Sequence, residues 1–301
     1  MPYPFETVDV FTNTRFGGNP LAVIPDARGL TDQQMQQIAN EFNLSETTFV
    51  LPPEDASHTA RVRIFTPQSE VPFAGHPNVG TAYVAAQKGL PFGAPIKDDI
   101  IFEEKAGLVR IKLIKTGDQT TGAEIAAPQP LILAEPVDVA IVAQACSLET
   151  SDFDVSDHPP QIASAGNKFI YAKLRSRDAL KRAKPNAAVF DRHLPMDLAI
   201  GIHLYTNDSQ SPVDVETRMF APLFGIPEDP ATGSANVTLI GLLAQLHQEP
   251  DLELTKTISQ GVDMGRPSLM VARASKRDGV VLHTYIGGDC VPAMSGSIQS
   301  D

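Results

Sequence analysis

The chain has 301 residues, 42% hydrophobic and 20% charged, enough for one large domain or two modest ones. Its 24 basic and 36 acidic residues give a formal net charge of −12, which argues against the basic face a nucleic acid needs and disfavours an anionic membrane surface. A small anionic ligand is not excluded, because local backbone dipoles can hold one.

In chain order, FETVDVF (5–11) alternates as a strand, and FGGNPLAVIP (16–25) reads as a glycine turn followed by a short apolar strand. TDQQMQQIANEF (31–42) has the pattern of an amphipathic helix. Thr31 and Gln34 stand at capping-box spacing, and Met35, Ile38, Ala39 and Phe42 share a face. LSETTFVLPP returns to a strand, and TARVRIFTP (59–67) is another, ended by proline. PNVGTAYVAAQKG (77–89) predicts a helix with proline in its first position and Gly89 as its stop. Residues 100–133 alternate weakly, as hairpins do. A Pro- and Ala-rich stretch near 126–136 then suggests a crossover between halves. A helix near 176–184, further strands and a clear helix at 235–247 complete an α+β pattern.

Cys146 and Cys290 lie far apart and in no CxxC or Cys/His cluster, so neither a disulfide scaffold nor a zinc site is expected. No basic, apolar leader opens the chain and no apolar run approaches membrane-spanning length, so a cytoplasmic protein is expected. FGGNP lacks the Lys-Ser/Thr pair of a phosphate loop, and no GxGxxG precedes a helix. It reads as a turn near a site mouth, with ATP and NAD not expected.

Two stretches repeat one another. RIFTP (63–67) matches RMFAP (218–222) with Arg, Phe and Pro in register. After a three-residue difference in the connection, Pro72 faces Pro230, Gly75 faces Gly233, His76 faces Ser234, Asn78 faces Asn236 and Val79 faces Val237. Each copy reads strand, proline turn, glycine, helix. Two similar halves would each present a helix N-terminus at the same place, with His76 and Ser234 at or next to the N-caps. Free N–H groups and partial positive charge there suit a carboxylate. In EDPATGSAN, Glu228 and Asp229 stand just before the helix as candidate proton-transfer groups, the alternative being Ser234 as a plain N-cap and Asp229 as a dipole-pairing acid.

At these residues the sequence resembles the PhzF-like isomerase family of phenazine biosynthesis, in the diaminopimelate-epimerase-like superfamily. The resemblance runs over nearly the whole chain: DVFTNTRFGGNPLAVI, SETTFV, RIFTPQSEVPFAGHPNVGTA, RMFAPLFGIPEDPATGSAN and QGVDMGRPS occur in order, with GGDCVPAMSGSIQ a looser match. It implies two pseudo-symmetric α+β halves, each a curved, barrel-like mixed sheet around a central helix. The first half would take residues 1–128 plus a C-terminal strand at about 284–301. The second would take 129–283, with the active site in the cleft between them. It further implies a homodimer, no cofactor and no metal. The family's activity is proton-shift isomerisation of trans-2,3-dihydro-3-hydroxyanthranilate. By that resemblance Glu46 is the general acid/base and His76 and Asp229 stand at the other catalytic positions. His76 is read as orienting or polarising the substrate or relaying a proton, and Asp229 as assisting proton transfer or holding an amino or hydroxyl group. Ser234 would bind the substrate carboxylate, with Ser45, Gly75 and Gly233 as neighbouring contacts.

A glutamate near its free pKa of about 4.3 is a weak base for carbon acids, so the site is expected to raise that of Glu46, with Phe49 and Leu44 as candidate apolar walls. Related epimerases use a cysteine pair. Neither Cys146 nor Cys290 lies in these motifs, which disfavours two-thiol racemisation. Racemisation of an amino or hydroxy acid by the same groups, and a non-catalytic metabolite-binding role, are the competing readings. His58, His158, His193, His203 and His247 read as scattered surface or structural residues, and Arg266 as part of a structural ion pair.

Overall fold

The computed structural model describes residues 2–195, 197–207 and 211–300. The chain forms two compact units: residues to Ala126 together with those from Gly287 onward, and Ala127–Ile286.

In the first unit, β1 (Pro2–Val10) and β2 (Asn19–Ile24) are followed by helix α1 (Asp32–Phe42). Then come β3 (Glu46–Leu51), β4 (Ala60–Phe65) and the short β5 (Glu70–Val71), helix α2 (Gly75–Lys88), and β6 (Asp99–Glu104), β7 (Gly107–Thr116) and β8 (Gln119–Ala126). β1 pairs antiparallel with β2, β2 parallel with β3, β3 antiparallel with β4, and β4 parallel with β6. β6, β7 and β8 continue antiparallel. The second part of the last strand of the chain pairs with both β8 and β1, which closes the sheet on itself. A closed barrel leaves no exposed edge among these strands.

α2 fills this barrel. Every residue from Gly75 to Ala85 is buried, and the helix packs on β1, β2, β3, β7 and β8. Gly80 makes that close approach possible, since a Cβ there would stand 2.6 Å from Leu21 Cδ2 and 2.8 Å from Val10 Cγ2. α1 lies on the sheet's other face. There Met35 and Ile38 pack with Ile24, Phe49 and Phe65. Its capping box forms as the Thr31–Gln34 spacing predicts, and Asn43 ends it at φ 50°.

The second unit repeats the plan. β9 (Ile132–Pro136) and α3 (Val139–Ala145) precede β10 (Gln161–Ser164), β11 (Lys168–Lys173), α4 (Arg177–Arg182) and α5 (Ala187–His193). β12 (Gly201–Thr206), β13 (Val215–Ala221), β14 (Ile226–Asp229) and helix α6 (Gly233–Leu246) follow. β15 (Leu252–Gln260), β16 (Ser268–Arg277) and β17 (Val280–Gln299) end the chain, and β17 is the long strand whose second part closes the first unit. β10–β11 is antiparallel, β11–β12 parallel, β12–β13 antiparallel, β13–β15 parallel and β15–β16 antiparallel. This is the sequence of directions seen from β1 to β7. α6 takes the place of α2, buried and packed on β10, β15 and β16. α3, α4 and α5 cover the sheet's outer face through Val142, Leu180 and Phe190. The fold is α+β, each unit a curved mixed sheet around a central helix, as expected.

The repeat extends to side chains. Arg63 donates from Nε and Nη2 to Glu70 at 2.8 Å each and lies 5.1 Å over the Phe65 ring. Arg218 does the same to Glu228 at 2.7 and 2.8 Å, 4.9 Å over Phe220. Each pair ties a strand to the hairpin that leads into the central helix. Glu228 is therefore committed to its ion pair with Arg218, and not to the proton transfer read for it from the sequence.

Both central helices start two residues earlier than the periodicity predicts, at Gly75 and Gly233 rather than 77 and 235. Pro77 sits inside the first turn, where a backbone N–H has no intrahelical partner to lose.

The turn after β1 is set by Gly18, whose φ is +57° and whose Cβ, were there one, would lie 2.2 Å from the Val10 carbonyl oxygen. Gly18→Ala is expected to lower stability by about 1–3 kcal/mol through strain and collision. A urea midpoint equal to that of the unsubstituted protein, at unchanged slope, would refute this account of the turn.

Candidate active site

The αL residue Asn43 reverses the chain after α1 and delivers Ser45 and Glu46 to the start of β3. β3 alternates from there. Glu46 and Thr48 share the face turned to α2, where Thr48 Oγ1 meets Thr81 Oγ1 at 2.8 Å. Phe49 faces the other way, into the α1 core, and stacks edge-on against Phe65. Phe49 is thus not the apolar wall expected beside Glu46, because a one-residue step along a strand reverses the face.

His76 is the second residue of α2 and only 4% exposed. Its Nε2 lies 3.5 Å from Glu46 Oε2, with the glutamate side chain 13% exposed. Its Nδ1 lies 3.3 Å from Asn19 Nδ2, the first residue of β2. Since the Asn19 amide nitrogen can only donate, Nδ1 must accept, and the proton stands on Nε2 facing Glu46. Burial pushes the pKa of His76 down to about 3. A neutral imidazole with a fixed Nε2–H is a donor suited to polarising an acceptor beside a carboxylate. Asn19 was absent from the sequence reading, although FGGNP had been placed near a site mouth.

The N-cap of α2 is Ala74, which has no capping side chain, so the N-terminal N–H groups of the helix are not covered by one. α6 begins in the same way. Its N-cap is Thr232, which does not cap, because its hydroxyl donates to Asp229 Oδ2 at 2.6 Å. Gly75 and Gly233 are the first helical residues, and Ser234 is the second, matching His76.

Asp229 ends β14 and is 5% exposed. Gln260, on β15, holds the connection beneath it. Its Nε2 donates to the Asp229 carbonyl at 2.7 Å and to Thr232 Oγ1 at 2.9 Å, and its Oε1 accepts from Asn236 Nδ2 at 2.8 Å. His203 Nε2 reaches Asn236 Oδ1 at 3.0 Å, and burial lowers its pKa to about 4 although Asn236 pulls the other way. His203 is therefore fully buried beside the start of α6, on the structural side of the reading given to it. Gln260 was not singled out by the sequence, and the place of His203 was not legible there, because strand pairing brings both in from distant sequence.

The thiols of Cys146 and Cys290 are free and buried, and burial raises both above the ordinary thiol range. That is opposite to what a thiolate base needs. Among the described residues, no helix is long and apolar enough to cross a membrane.

Residues 8–296 match the family model of the PhzC-PhzF phenazine biosynthesis-like proteins. The chain is 35% identical, over 97% of each sequence, to a trans-2,3-dihydro-3-hydroxyanthranilate isomerase of Pseudomonas chlororaphis. It is 34% identical, over 96% of each sequence, to an uncharacterized isomerase of Mesorhizobium japonicum. Its fold superposes over the full length of both chains on a PhzF-family phenazine biosynthesis protein of Bacillus anthracis, at a TM-score of 0.89 and 26% identity. A hydroxyproline epimerase of Agrobacterium vitis shares the fold at a TM-score of 0.63 and 13% identity, covering 99% of this chain and 92% of that one. The chain belongs to the PhzC-PhzF family and is an isomerase.

His76 stays neutral in the fold down to about pH 3, whereas histidine in an unfolded chain protonates near 6.5. Acid therefore favours the unfolded state from about pH 6.5 downward. His76→Gln is expected to shrink the loss of stability between neutral pH and about pH 4, followed by urea unfolding. An unchanged acid slope would contradict the buried neutral state.

Proposed function

We propose that the protein moves a proton between carbons of a small carboxylate without a cofactor, in the manner of trans-2,3-dihydro-3-hydroxyanthranilate isomerisation. One observation carries this reading: a buried, neutral His76 whose Nε2–H faces Glu46 at the mouth of a helix that no side chain caps. In this reading the Glu46 carboxylate takes the proton from carbon and returns it to another carbon of the same substrate. No net proton or electron is gained or lost. His76 donates from Nε2 to the substrate oxygen or nitrogen that gains charge, and Asn19 keeps that donor in place. Neutral imidazole suits this role, because an imidazolium would pair with Glu46 and weaken it as a base.

The N–H groups at the start of α2 and of α6 are oriented for an anion such as a substrate carboxylate. Gly75 and Gly233 leave room for its close approach. Ser234 would bind the carboxylate through its hydroxyl, Asp229 would assist transfer, and Ser45 would contact substrate beside Glu46. Amino-acid racemisation by two thiols is disfavoured by the burial of Cys146 and Cys290. A homodimer in the cytoplasm with no metal, nucleic-acid or membrane partner belongs to the same reading.

The test is a proton NMR assay of the dihydro-hydroxyanthranilate and of small amino and hydroxy carboxylates. Glu46→Gln is expected to lower kcat by about 10²–10⁴ with a smaller change in KM. Full turnover by Glu46→Gln would remove Glu46 as the base. Failure of the unsubstituted enzyme on the dihydro-hydroxyanthranilate, with turnover of another carboxylate, would replace the substrate and leave the base in place.

A further inference from the structure

Glu104 is a half-buried acid, its carboxyl turned inward, that the reaction above does not use. It ends β6 and shares a strand face with Ile100 and Phe102, both fully buried. Both of its carboxyl oxygens are buried and make no hydrogen bond in the structure. The nearest polar side chain acting on it is Asn78, in the first turn of α2, two residues after His76. Asn78 Nδ2 gives one of its two N–H groups to the Ala74 carbonyl at 2.9 Å, while its Oδ1 is buried with no donor. An acceptor that lacks a donor thus lies next to a carboxyl that lacks a partner.

The second unit shows what the arrangement is for. Strand pairing sets Ala60 opposite Phe102 and Val215 opposite Ile258, so Glu104 and Gln260 occupy matching positions two residues on. Asn78 and Asn236 match in the same way, and each donates to the carbonyl four residues earlier. Gln260 is neutral, fully bonded, and holds Asn236 and the turn before α6. Asn236 Oδ1 takes its donor from His203 Nε2, whereas Asn78 Oδ1 has no such donor, and a protonated Glu104 is the neighbouring group that can supply one.

We propose that Glu104 is kept as a neutral carboxylic acid that donates to Asn78 Oδ1, and that it acts as a positioning residue for the helix mouth carrying His76. Burial pushes its pKa up to about 8, with Asn78 pulling it partly back. The charged groups on the elements around it are engaged with one another. Arg61 pairs with Glu54, Arg63 with Glu70 and Asp32, Lys105 with Glu70, and His58 with Glu103. β7 brings only Gly107 opposite Glu104, and His76 on α2 is neutral.

The sign follows directly. A carboxyl in the unfolded chain ionises near 4.5 and Glu104 in the fold near 8, so stability falls as pH rises across that window. The tests need no substrate, so they stand apart from the isomerase reading on which the importance of His76 rests. Thermal unfolding should show Glu104→Gln gaining in melting temperature relative to the unsubstituted protein as pH rises from about 5 to about 8, while the buried neutral His76 and His203 contribute alike to both. The ring-nitrogen resonances of His76 should shift with a midpoint near pH 8 in the unsubstituted protein and hold constant in Glu104→Gln. Glu104→Ala should displace them at every pH, with the glutamine variant restoring them. Equal melting profiles for the unsubstituted protein and Glu104→Gln would overturn the neutral acid. His76 signals indifferent to all three states of residue 104 would overturn the positioning role.

Discussion

A helix enclosed by a barrel has to end inside it, and the polar backbone of that end dictates much else in this protein. The first N–H groups of a helix have no carbonyl of their own, and water is largely shut out at the N-termini of α2 and α6. Neither N-cap residue offers a capping side chain bond. In the second unit Gln260 on β15 accepts from the Thr232 N–H, and in each unit the first N–H groups of the helix are left without a cap from the N-cap side chain. The chemistry of the site and the packing of the barrel are therefore one problem.

Its solution is mostly neutral. His76, Asn78 and Asn19 meet at the first mouth, and Asn236, Gln260 and His203 at the second. Charge near either helix start is confined to a few carboxyl groups, of which Glu46 and Asp229 stand in the motifs that carry the proposed reaction. Arginines occur one strand away and are locked to Glu70 and Glu228. In surroundings that raise the cost of charge, a neutral imidazole can polarise a substrate without quenching the neighbouring base.

How much of this was legible beforehand depended on distance along the chain. The paired strand–turn–glycine–helix motifs exposed the two-half architecture and the places of His76, Asp229 and Ser234, since each signal lies within about twenty residues. Glu46 is an ordinary acid by pattern, and only its SETTFV context singled it out. Asn19, Gln260 and Glu104 could not be read, because strand pairing alone brings them to the helix mouths. Phe49 was misjudged through a single step of strand alternation. The starts of both helices were set two residues late because Pro77 was taken as the first helical position and Gly75 and Gly233 as residues of the preceding turns, although a helix's first turn tolerates proline beyond its first position.

The account stands on a neutral His76 with its proton on Nε2. Nitrogen-15 NMR of the histidine rings at neutral pH reads this directly, with His76→Gln identifying the resonance. A neutral ring protonated at Nε2, unchanged through mild acid and altered by Asn19→Leu, is the predicted result. An imidazolium, or a ring protonated at Nδ1, would contradict the account, because the site would then present Glu46 with a competing charge or with no donor at all.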